Sequence, residues 1–376
     1  MGTAAESRRS PLASRHSPEG RRRVVVHLPV YPENAYQPML MQAQRDLGWE
    51  VIDGGGGGNF LRTALRDWRP DVLHLHWLHP YLLRKGRFAS WMRGMRFLAE
   101  ITLLRRSGIK IVWTVHNLGN HRQQHGGIEL AITRRFARQC DLILTHGAAA
   151  AGAARERFRI PVSTPVLSTR FPNYCNQYPI DSRNSQWRSE WGLSESDFVI
   201  GFLGRVEPYK QVCELVDAFR GAAGNQHRLL IGGRASSEDY GNALRSRIGL
   251  DSRIQLFSDY VPDERMRSFL LACDVIACPS KGILTSSSVP LAMSFGRPVL
   301  APAEGCIPEE VGDTGFLYDN SRTDGLQEVL QRAFAARSLL PEMGRHALAR
   351  AQEASPEFIA EQIVAAYNSL LAQGRR

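Results

Sequence analysis

The stretch FVIGFLGRVEPYKQVCELVDAF, residues 198–219, decides the fold that the sequence predicts. Its apolar, β-branched start is typical of a buried parallel strand, and its last seven residues have the apolar spacing of a helix. Gly204 separates the two elements, and the loop after it carries Arg205 and Lys210. Because a helix start already favours anions, this loop suits a diphosphate; a solvated loop with two surface cations is the plain alternative.

Length and composition set the frame around this unit. The 376 residues, with 43% hydrophobic and 22% charged residues, predict a globular protein with a substantial core and two domains. The net charge of +10 implies attraction to polyanions, which include nucleic acid, an anionic membrane and phosphorylated substrates. The six cysteines form no C-x-x-C pair, and no apolar run is long enough to span a bilayer. We therefore expect a cytoplasmic protein with reduced thiols.

Strands and helices alternate along both halves of the chain, which predicts doubly wound parallel sheets of the α/β class. The closing segment 356–373 is predicted to be a long amphipathic helix. Residues 161–179, which hold several prolines and show no period, are the predicted linker. Residues 1–22 are rich in Ser, Arg, Pro and Gly, so we expect a disordered basic tail. The predicted strands are 22–28, 49–53, 71–77, 110–115, 141–145, 198–203, 228–231, 254–257, 274–278 and 299–301.

Several polar residues of the first half fall at predicted strand ends, where ligands bind in such folds. Glu33 lies in the polar loop after the first strand, which either faces a substrate or is only a solvated connection. His74 and His76 are either half of a metal site or, as we favour, hydrogen-bonded histidines that line a cleft. His116 follows the strand 110–115 and is a candidate general base or sugar ligand, with a purely structural histidine as the alternative.

The segment 84–106 combines arginines with aromatic and methionine residues at helical spacing. That composition is typical of a helix lying in a membrane interface, and it predicts contact with an anionic membrane surface. The alternative is a core-packed helix with a basic outer face.

A second candidate anion site lies in the second half. Ser286, Ser287 and Ser288 stand immediately before the predicted helix 289–295, and N-capping would account for one of these hydroxyls. Glu304 occupies the loop after the next predicted strand.

Four passages of the second half resemble the donor-binding half of GT-B glycosyltransferases, the large sugar-nucleotide-dependent superfamily. They are GRVEPYK at 204–210, DVIACPS at 274–280, AMSFGRPVLAP at 292–302 and EGCIPEEVGDTGFLYD at 304–319. In the first half the resemblance rests on DVLHLHW at 71–77 and TVHN at 114–117.

The resemblance implies two Rossmann-like domains that face a central cleft. The acceptor-binding domain would comprise 23–175 with the crossing helix 356–373, and the nucleotide-sugar-binding domain would comprise 183–355. It also implies that Arg205 and Lys210 contact the donor diphosphate and that His116 lies near the transferred sugar. From their places in the neighbouring loops, we expect Gly204, Glu304 and the serines 286–288 to complete the donor site.

One departure from the family pattern concerns its paired donor-site glutamates. Alignment on AMSFGRPV places Ile283 and Leu291 at those positions, and neither side chain can hydrogen-bond a hydroxyl. The loss puts retaining chemistry in doubt. The nearby serine run, together with the Asn-x-Tyr-Gln loop at 34–37, resembles the pattern of bacterial exopolysaccharide enzymes that act on lipid-linked oligosaccharides, including xanthan-type mannosyltransferases.

These observations predict a peripheral membrane hexosyltransferase on the cytoplasmic face. It would move a sugar from GDP-mannose or a UDP-sugar to a lipid-linked saccharide in exopolysaccharide synthesis, with no metal and no cofactor besides the donor. His116 or Glu33 would be the base if the reaction inverts; if it retains, His116 would bind the sugar. Two alternatives are an inactive GT-B scaffold and a nucleic-acid-binding protein, although the sequence contains no nucleic-acid-binding module.

Overall fold

The computed structural model describes residues 21–31, 35–56, 60–119, 126–178 and 187–373. Its first half contains a six-stranded, wholly parallel sheet with the order β2-β1-β3-β4-β5-β6. Near-continuous apolar runs form the inner strands, as expected when helices cover both faces of a parallel sheet. The strands are β1 Val24–Leu28, β2 Glu50–Asp53, β3 Val72–Leu75, β4 Lys110–Val115, β5 Leu142–His146 and β6 Val166–Thr169.

The helices of the first half cross over between these strands. A π-helical turn, Ala64–Trp68, continues the short second helix. The helices are α1 Tyr36–Asp46, α2 Leu61–Thr63, α3 His79–Leu82, α4 Arg87–Arg106, α5 Gly126–Ala137 and α6 Ala148–Phe158.

A second six-stranded parallel sheet, with the order β12-β11-β10-β7-β8-β9, forms the other half. Residues 198–219 supply its central strand and most of the helix that follows. The strands are β7 Phe198–Leu203, β8 His227–Gly232, β9 Ile254–Phe257, β10 Val275–Ala277, β11 Val299–Pro302 and β12 Phe316–Tyr318.

The helices of this half include two 3-10 turns, Pro208–Lys210 and Arg337–Leu339. The α-helices are α7 Trp187–Glu190, α8 Val212–Ala222, α9 Glu238–Ile248, α10 Asp263–Ala272, α11 Ser288–Ser294, α12 Ile307–Val311, α13 Gly325–Ala335, α14 Leu340–Gln352 and α15 Pro356–Ala372.

The strand order reverses once in each sheet, between β1 and β3 and between β7 and β10. In open α/β sheets ligands bind beyond the carboxyl ends of the strands at such a reversal. The loops after β1, β3, β7 and β10 are therefore where the fold itself predicts a site.

The last helix returns to the first half of the molecule. α15 packs on α1, and the Tyr367 ring lies 5.3 Å from that of Trp49. Ser355 caps its start by accepting a hydrogen bond from the Phe358 backbone N–H. The domain boundaries themselves stay a prediction.

The predicted linker 161–179 is wrong in part, because Val166–Thr169 forms β6 and pairs with β5. The four residues of β6, of which two are half-buried, one is exposed and one is buried, show no clear period, so only the pairing reveals the strand. The first helix, α1, begins at Tyr36. Pro38 lies in its first turn, where the missing N–H breaks no intrahelical hydrogen bond. Most of the predicted tail, residues 1–20, lies outside the described residues.

No helix in the described ranges combines the length and the apolar character that crossing a bilayer requires.

Candidate active site

Five buried histidines gather at the carboxyl end of the first sheet. They stand at or just beyond the carboxyl ends of four strands, two of them at β3 and one each at β1, β4 and β5. Their imidazole rings lie 4.3 to 5.6 Å from at least one neighbouring imidazole. The residues are His27, His74, His76, His116 and His146.

Hydrogen bonds link three of these rings in a line that we call the histidine row, namely His27, His76 and His116. His27 Nδ1 lies 2.9 Å from His76 Nε2, and His76 Nδ1 lies 3.1 Å from His116 Nε2. At the inner end, His27 Nε2 lies 2.7 Å from Gln44 Oε1 of α1. At the outer end, the His116 ring stacks on Trp77 at 4.4 Å.

His74 stands beside the row and is held from two other elements. Its Nε2 lies 2.7 Å from Thr114 Oγ1 on β4, and its Nδ1 lies 2.6 Å from the Tyr367 hydroxyl on α15. His27, His74 and His76 offer nitrogen atoms within 4.8 Å of one another, which is close enough for a metal ion. However, all six ring nitrogens already form hydrogen bonds, so the residues fit a hydrogen-bonded network better than a metal site.

Burial keeps these imidazoles neutral. It lowers the pKa of His27 and of His146 to about 4, and it lowers the pKa of His74, His76 and His116 well below the usual value. Desolvation is the largest cause in every case, because the charged form loses its hydration. A neutral imidazole at neutral pH can accept a proton.

The loop after β7 presents the two cations that the sequence predicts for a diphosphate. Gly204 has φ +138°, and a Cβ there would lie 3.0 Å from Lys210 Nζ, so the ammonium lies against bare backbone. Burial lowers the Lys210 pKa, and among the residues that the structure describes no carboxylate forms an ion pair with it. Arg205 is exposed and pairs with Glu207 at 3.2 Å.

The loop after β10 joins this loop to the first half of the protein. The Lys281 N–H donates to the Tyr209 carbonyl at 2.8 Å, and Thr285 Oγ1 donates to the His116 carbonyl at 3.4 Å. The structure thus brings the residues just before α11 next to His116. Ser286 and Ser288 are half-buried and Ser287 is exposed, and no side-chain hydroxyl caps α11.

Glu304 links two neighbouring loops by hydrogen bonds. Its carboxylate accepts hydrogen bonds from the Gly282 N–H at 2.7 Å and from Asn320 Nδ2 at 2.9 Å. Ile283 is buried and Leu291 packs against the core, so the two positions that carry glutamates in the resembling family are apolar here in structure as well as in sequence.

A carboxylate of the second half also caps a helix of the first half. Glu309 accepts hydrogen bonds from the Ala148 and Ala149 N–H groups at 2.7 Å each, and Cys306 Sγ accepts one from Ala150. Beside this contact, His146 and Ser286 help to line a cavity of about 130 Å³ between the halves.

Sequence reasoning missed His27, His146 and Gln44. The two histidines follow apolar runs, as His116 does, and that position alone could have marked them. Gln44 gave no such signal, because it lies inside a helix whose register places it on the buried face. Glu33 lies outside the described residues, so its role as a base stays a prediction.

Comparison with known proteins finds similarity to glycosyltransferases. Residues 197–335 match the family model described as glycosyl transferases group 1. A GDP-mannose:glycolipid 4-beta-D-mannosyltransferase of Xanthomonas campestris pv. campestris is 29% identical over 269 residues, which are 69% of this chain and 70% of that protein. A D-inositol 3-phosphate glycosyltransferase of Segniliparus rotundus is 28% identical over 197 residues, 50% of this chain and 43% of that protein.

Solved structures share the fold at low identity. Sucrose-phosphate synthase from Thermosynechococcus elongatus has a TM-score of 0.76 at 17% identity, over 94% of this chain and 100% of that one. Anabaena HepE in complex with UDP and glucose has a TM-score of 0.71 at 17% identity, over 93% and 100%.

The two facing parallel sheets define the GT-B fold, as the resemblance predicted. With the family match and the similar transferases, they identify this protein as a GT-B glycosyltransferase.

Proposed function

We propose that this protein transfers a hexosyl group, with inversion, from a nucleoside diphosphate sugar to the saccharide of a glycolipid. The observation that carries the proposal is the half-buried Lys210 ammonium, which has no carboxylate partner among the described residues and lies at the strand-order reversal of the second sheet. A desolvated, unpaired cation is costly unless an anion binds there. A diphosphate is such an anion.

The proposed reaction is a single displacement. The acceptor hydroxyl oxygen attacks the anomeric carbon, the bond from that carbon to the diphosphate oxygen breaks, and the nucleoside diphosphate leaves with the electron pair. Arg205, Lys210 and the 286–288 hydroxyls stabilise the charge that develops on the leaving group. These groups supply the stabilisation without a metal in our proposal.

Inversion requires a base for the acceptor proton, and His116 is the candidate that the structure describes. Its ring is neutral, and its carbonyl contacts the loop that precedes α11. The apolar Ile283 and Leu291 supply no carboxylate for the donor sugar. The similar mannosyltransferase, whose name specifies a beta linkage, supports the same choice.

The donor is GDP-mannose or a UDP-sugar. GDP-mannose is named for the similar Xanthomonas enzyme, and UDP is bound in the similar Anabaena structure. The glycolipid in the former name supports a lipid-linked acceptor and, with it, a role in exopolysaccharide or other cell-surface glycan synthesis.

The exposed apolar side chains of α4 support the proposal that the enzyme acts at the cytoplasmic surface of a membrane. Phe88 is 75% exposed, Met92 51% and Trp91 46%, and Met95 and Leu103 continue the stripe at helical spacing. Exposed cations flank it, including Arg84, Lys85, Arg87 and Arg96. Since a stripe of this size lies next to basic residues, we propose that α4 docks on an anionic lipid surface.

The donor site is tested by thermal unfolding with GDP, UDP and ADP, followed by transfer assays with a glycolipid acceptor. A ligand at a hundred times its dissociation constant stabilises the folded state by about 2.7 kcal/mol. We expect a shift with one nucleoside diphosphate that disappears in Lys210→Ala, with a loss of transfer of roughly 10²-fold or more.

Lys110→Ala is the matched control, because Lys110 stands at the amino end of β4, away from the carboxyl ends. It should keep both the shift and the transfer. Full transfer by the Lys210→Ala variant would remove the diphosphate assignment.

A further inference from the structure

Of the five buried histidines, the proposed reaction uses only His116. This residue is, however, the outer member of the histidine row, whose inner end is hydrogen-bonded to Gln44. Every ring nitrogen along the row has one hydrogen-bond partner except His116 Nδ1. Within the described part of the chain no group donates to that nitrogen. The row therefore has one fixed end and one free end.

The fixed end sets the tautomer of every ring. Gln44 Oε1 can only accept, so His27 Nε2 carries a hydrogen. A neutral His27 then has a bare Nδ1, which must accept from His76 Nε2–H. By the same step His76 Nδ1 accepts from His116 Nε2–H, and the bare nitrogen of the last ring is His116 Nδ1.

We propose that Gln44, His27 and His76 are positioning residues that lock His116 in its Nε2–H tautomer and carry away the positive charge that His116 gains in the reaction. The inference rests on the proposed function, in which His116 takes the acceptor proton. The lock gives that base its free lone pair, and the row gives the proton's charge a path into the protein.

The proton transfers balance along the row. The acceptor O–H bond breaks and a His116 Nδ1–H bond forms. The His116 Nε2 proton moves to His76 Nδ1, and the His76 Nε2 proton moves to His27 Nδ1. His27 then carries a proton on both nitrogens, with Nε2–H still on Gln44, and no further reactant is needed.

The surroundings favour the inner end for the charge. Asp53 and the Gln44 hydrogen bond both raise the His27 pKa against burial, whereas Arg45 lowers it. No acid is among the causes that shift the His76 or His116 pKa, where neighbouring histidines oppose a charge. Among the residues that the structure describes, the other titratable groups in contact with the row are His74, His146 and Tyr36, and Tyr367 contacts His74. Spreading the charge along the row offsets the cost of creating it in a dry cleft.

The tautomer lock is tested first by NMR of the full chain labelled with ¹⁵N-histidine. We expect protonated-type Nε2 and bare-type Nδ1 signals for His27, His76 and His116 at pH 7.5. Gln44→Leu removes the acceptor and should give mixed tautomers in all three rings. Nδ1–H as the main form of His116 in the wild-type protein would overturn the proposal, whether or not the protein transfers sugar.

The charge path is tested by the pH profile of transfer. Gln44→Glu keeps the acceptor but adds a negative charge beside His27, so the row should hold a proton to higher pH. We expect the acidic limb of kcat to move up by about one pH unit or more, with the donor KM unchanged. Gln44→Leu should lower kcat roughly tenfold, because the far partner of a catalytic imidazole holds its tautomer.

Gln42→Glu makes the same chemical change on the exposed side of the same helix and should leave the limb in place. An unmoved limb in a folded Gln44→Glu protein would overturn the charge path. The variant His116→Asn separates this outcome from failure of the proposed function. If it keeps full kcat, His116 is not the base. The NMR measurement of the tautomers then still decides whether Gln44 locks the tautomer of His116.

Discussion

At the scale of the residue, the position of the Lys210 ammonium depends on the absence of a side chain at Gly204. Both the positive φ of Gly204 and the nearby Lys210 Nζ disfavour a side chain at this position. A glycine at this point lets the predicted diphosphate-binding ammonium approach the strand end.

We expect Gly204→Ala to weaken nucleoside diphosphate binding roughly tenfold, because the new Cβ displaces the Lys210 ammonium. Backbone strain adds a loss of stability of about 1–3 kcal/mol. Isothermal titration with the diphosphate found by thermal shift, together with urea unfolding, measures the two effects separately.

Gly55→Ala is the control for strain alone, since Gly55 has φ +77° and no atom lies within 4 Å of the position of its Cβ. If both variants bind the diphosphate equally well, the Lys210 contact at Gly204 has no role in binding.

At the scale of the element, α4 is unusual because it is apolar on two faces. Phe97, Ile101 and Leu104 pack into the core of the first half. The other face carries Phe88 and Met92 into solvent. Packing in the core accounts for the first stripe but not for the second, which is why we propose that the second stripe docks on a membrane surface.

The variant Phe88→Ser/Met92→Ser should lower binding to vesicles that contain anionic phospholipid by roughly tenfold or more, because two large apolar side chains leave the interface. Co-sedimentation at low and high salt measures this. Binding should also fall with salt, since the flanking arginines contribute through charge.

Val162→Ser/Leu250→Ser removes two other highly exposed apolar side chains and serves as the control. Equal losses of vesicle binding in the two double variants would show that α4 has no special part in docking.

At the scale of the whole molecule, the two halves meet at the carboxyl ends of both sheets and hold one another there. Glu309 caps α6 across the cleft, and Arg170 pairs with Glu310 at 2.7 Å. Tyr367 of α15 reaches His74 within the histidine cluster. The site is thus assembled from the first half, the second half and the last helix.

The five buried histidines should make the protein sensitive to acid. Their pKa values are lowered in the folded state, to about 4 for His27 and His146, whereas an unfolded histidine titrates near 6.5. Between those values the unfolded chain binds more protons, so stability falls as the pH falls from about 6.5 towards 4. Each such histidine contributes up to about 1.4 kcal/mol per pH unit.

Urea unfolding at pH 7.5, 6.0 and 5.0 measures this slope. His146→Asn should flatten it by up to one histidine's share, and the exposed His346→Asn should leave it unchanged. A His146→Asn protein with the wild-type slope would contradict the assignment of the acid sensitivity to these buried rings.

The sequence by itself determined the class of fold, and it placed Arg205 and Lys210 in the loop after β7, where their contact with a diphosphate stays a prediction. Strand β7 and its helix are regular, apolar and local, so their period is visible in the sequence, and Arg205 and Lys210 follow directly from their place between them. The position of His116 at the end of a strand was predicted in the same way, because the predicted bounds of that strand, 110–115, are those of β4.

Only the tertiary structure decided how the histidines act together. His27, His76 and His116 are up to 89 positions apart in the sequence, and nothing local links them to Gln44 or Tyr367. Parallel pairing places the ends of β1, β3, β4 and β5 side by side, and α1 and α15 close over them. Hydrogen bonds between rings depend on these non-local contacts, which no sequence period records. The edge strand β6 was missed for the same reason.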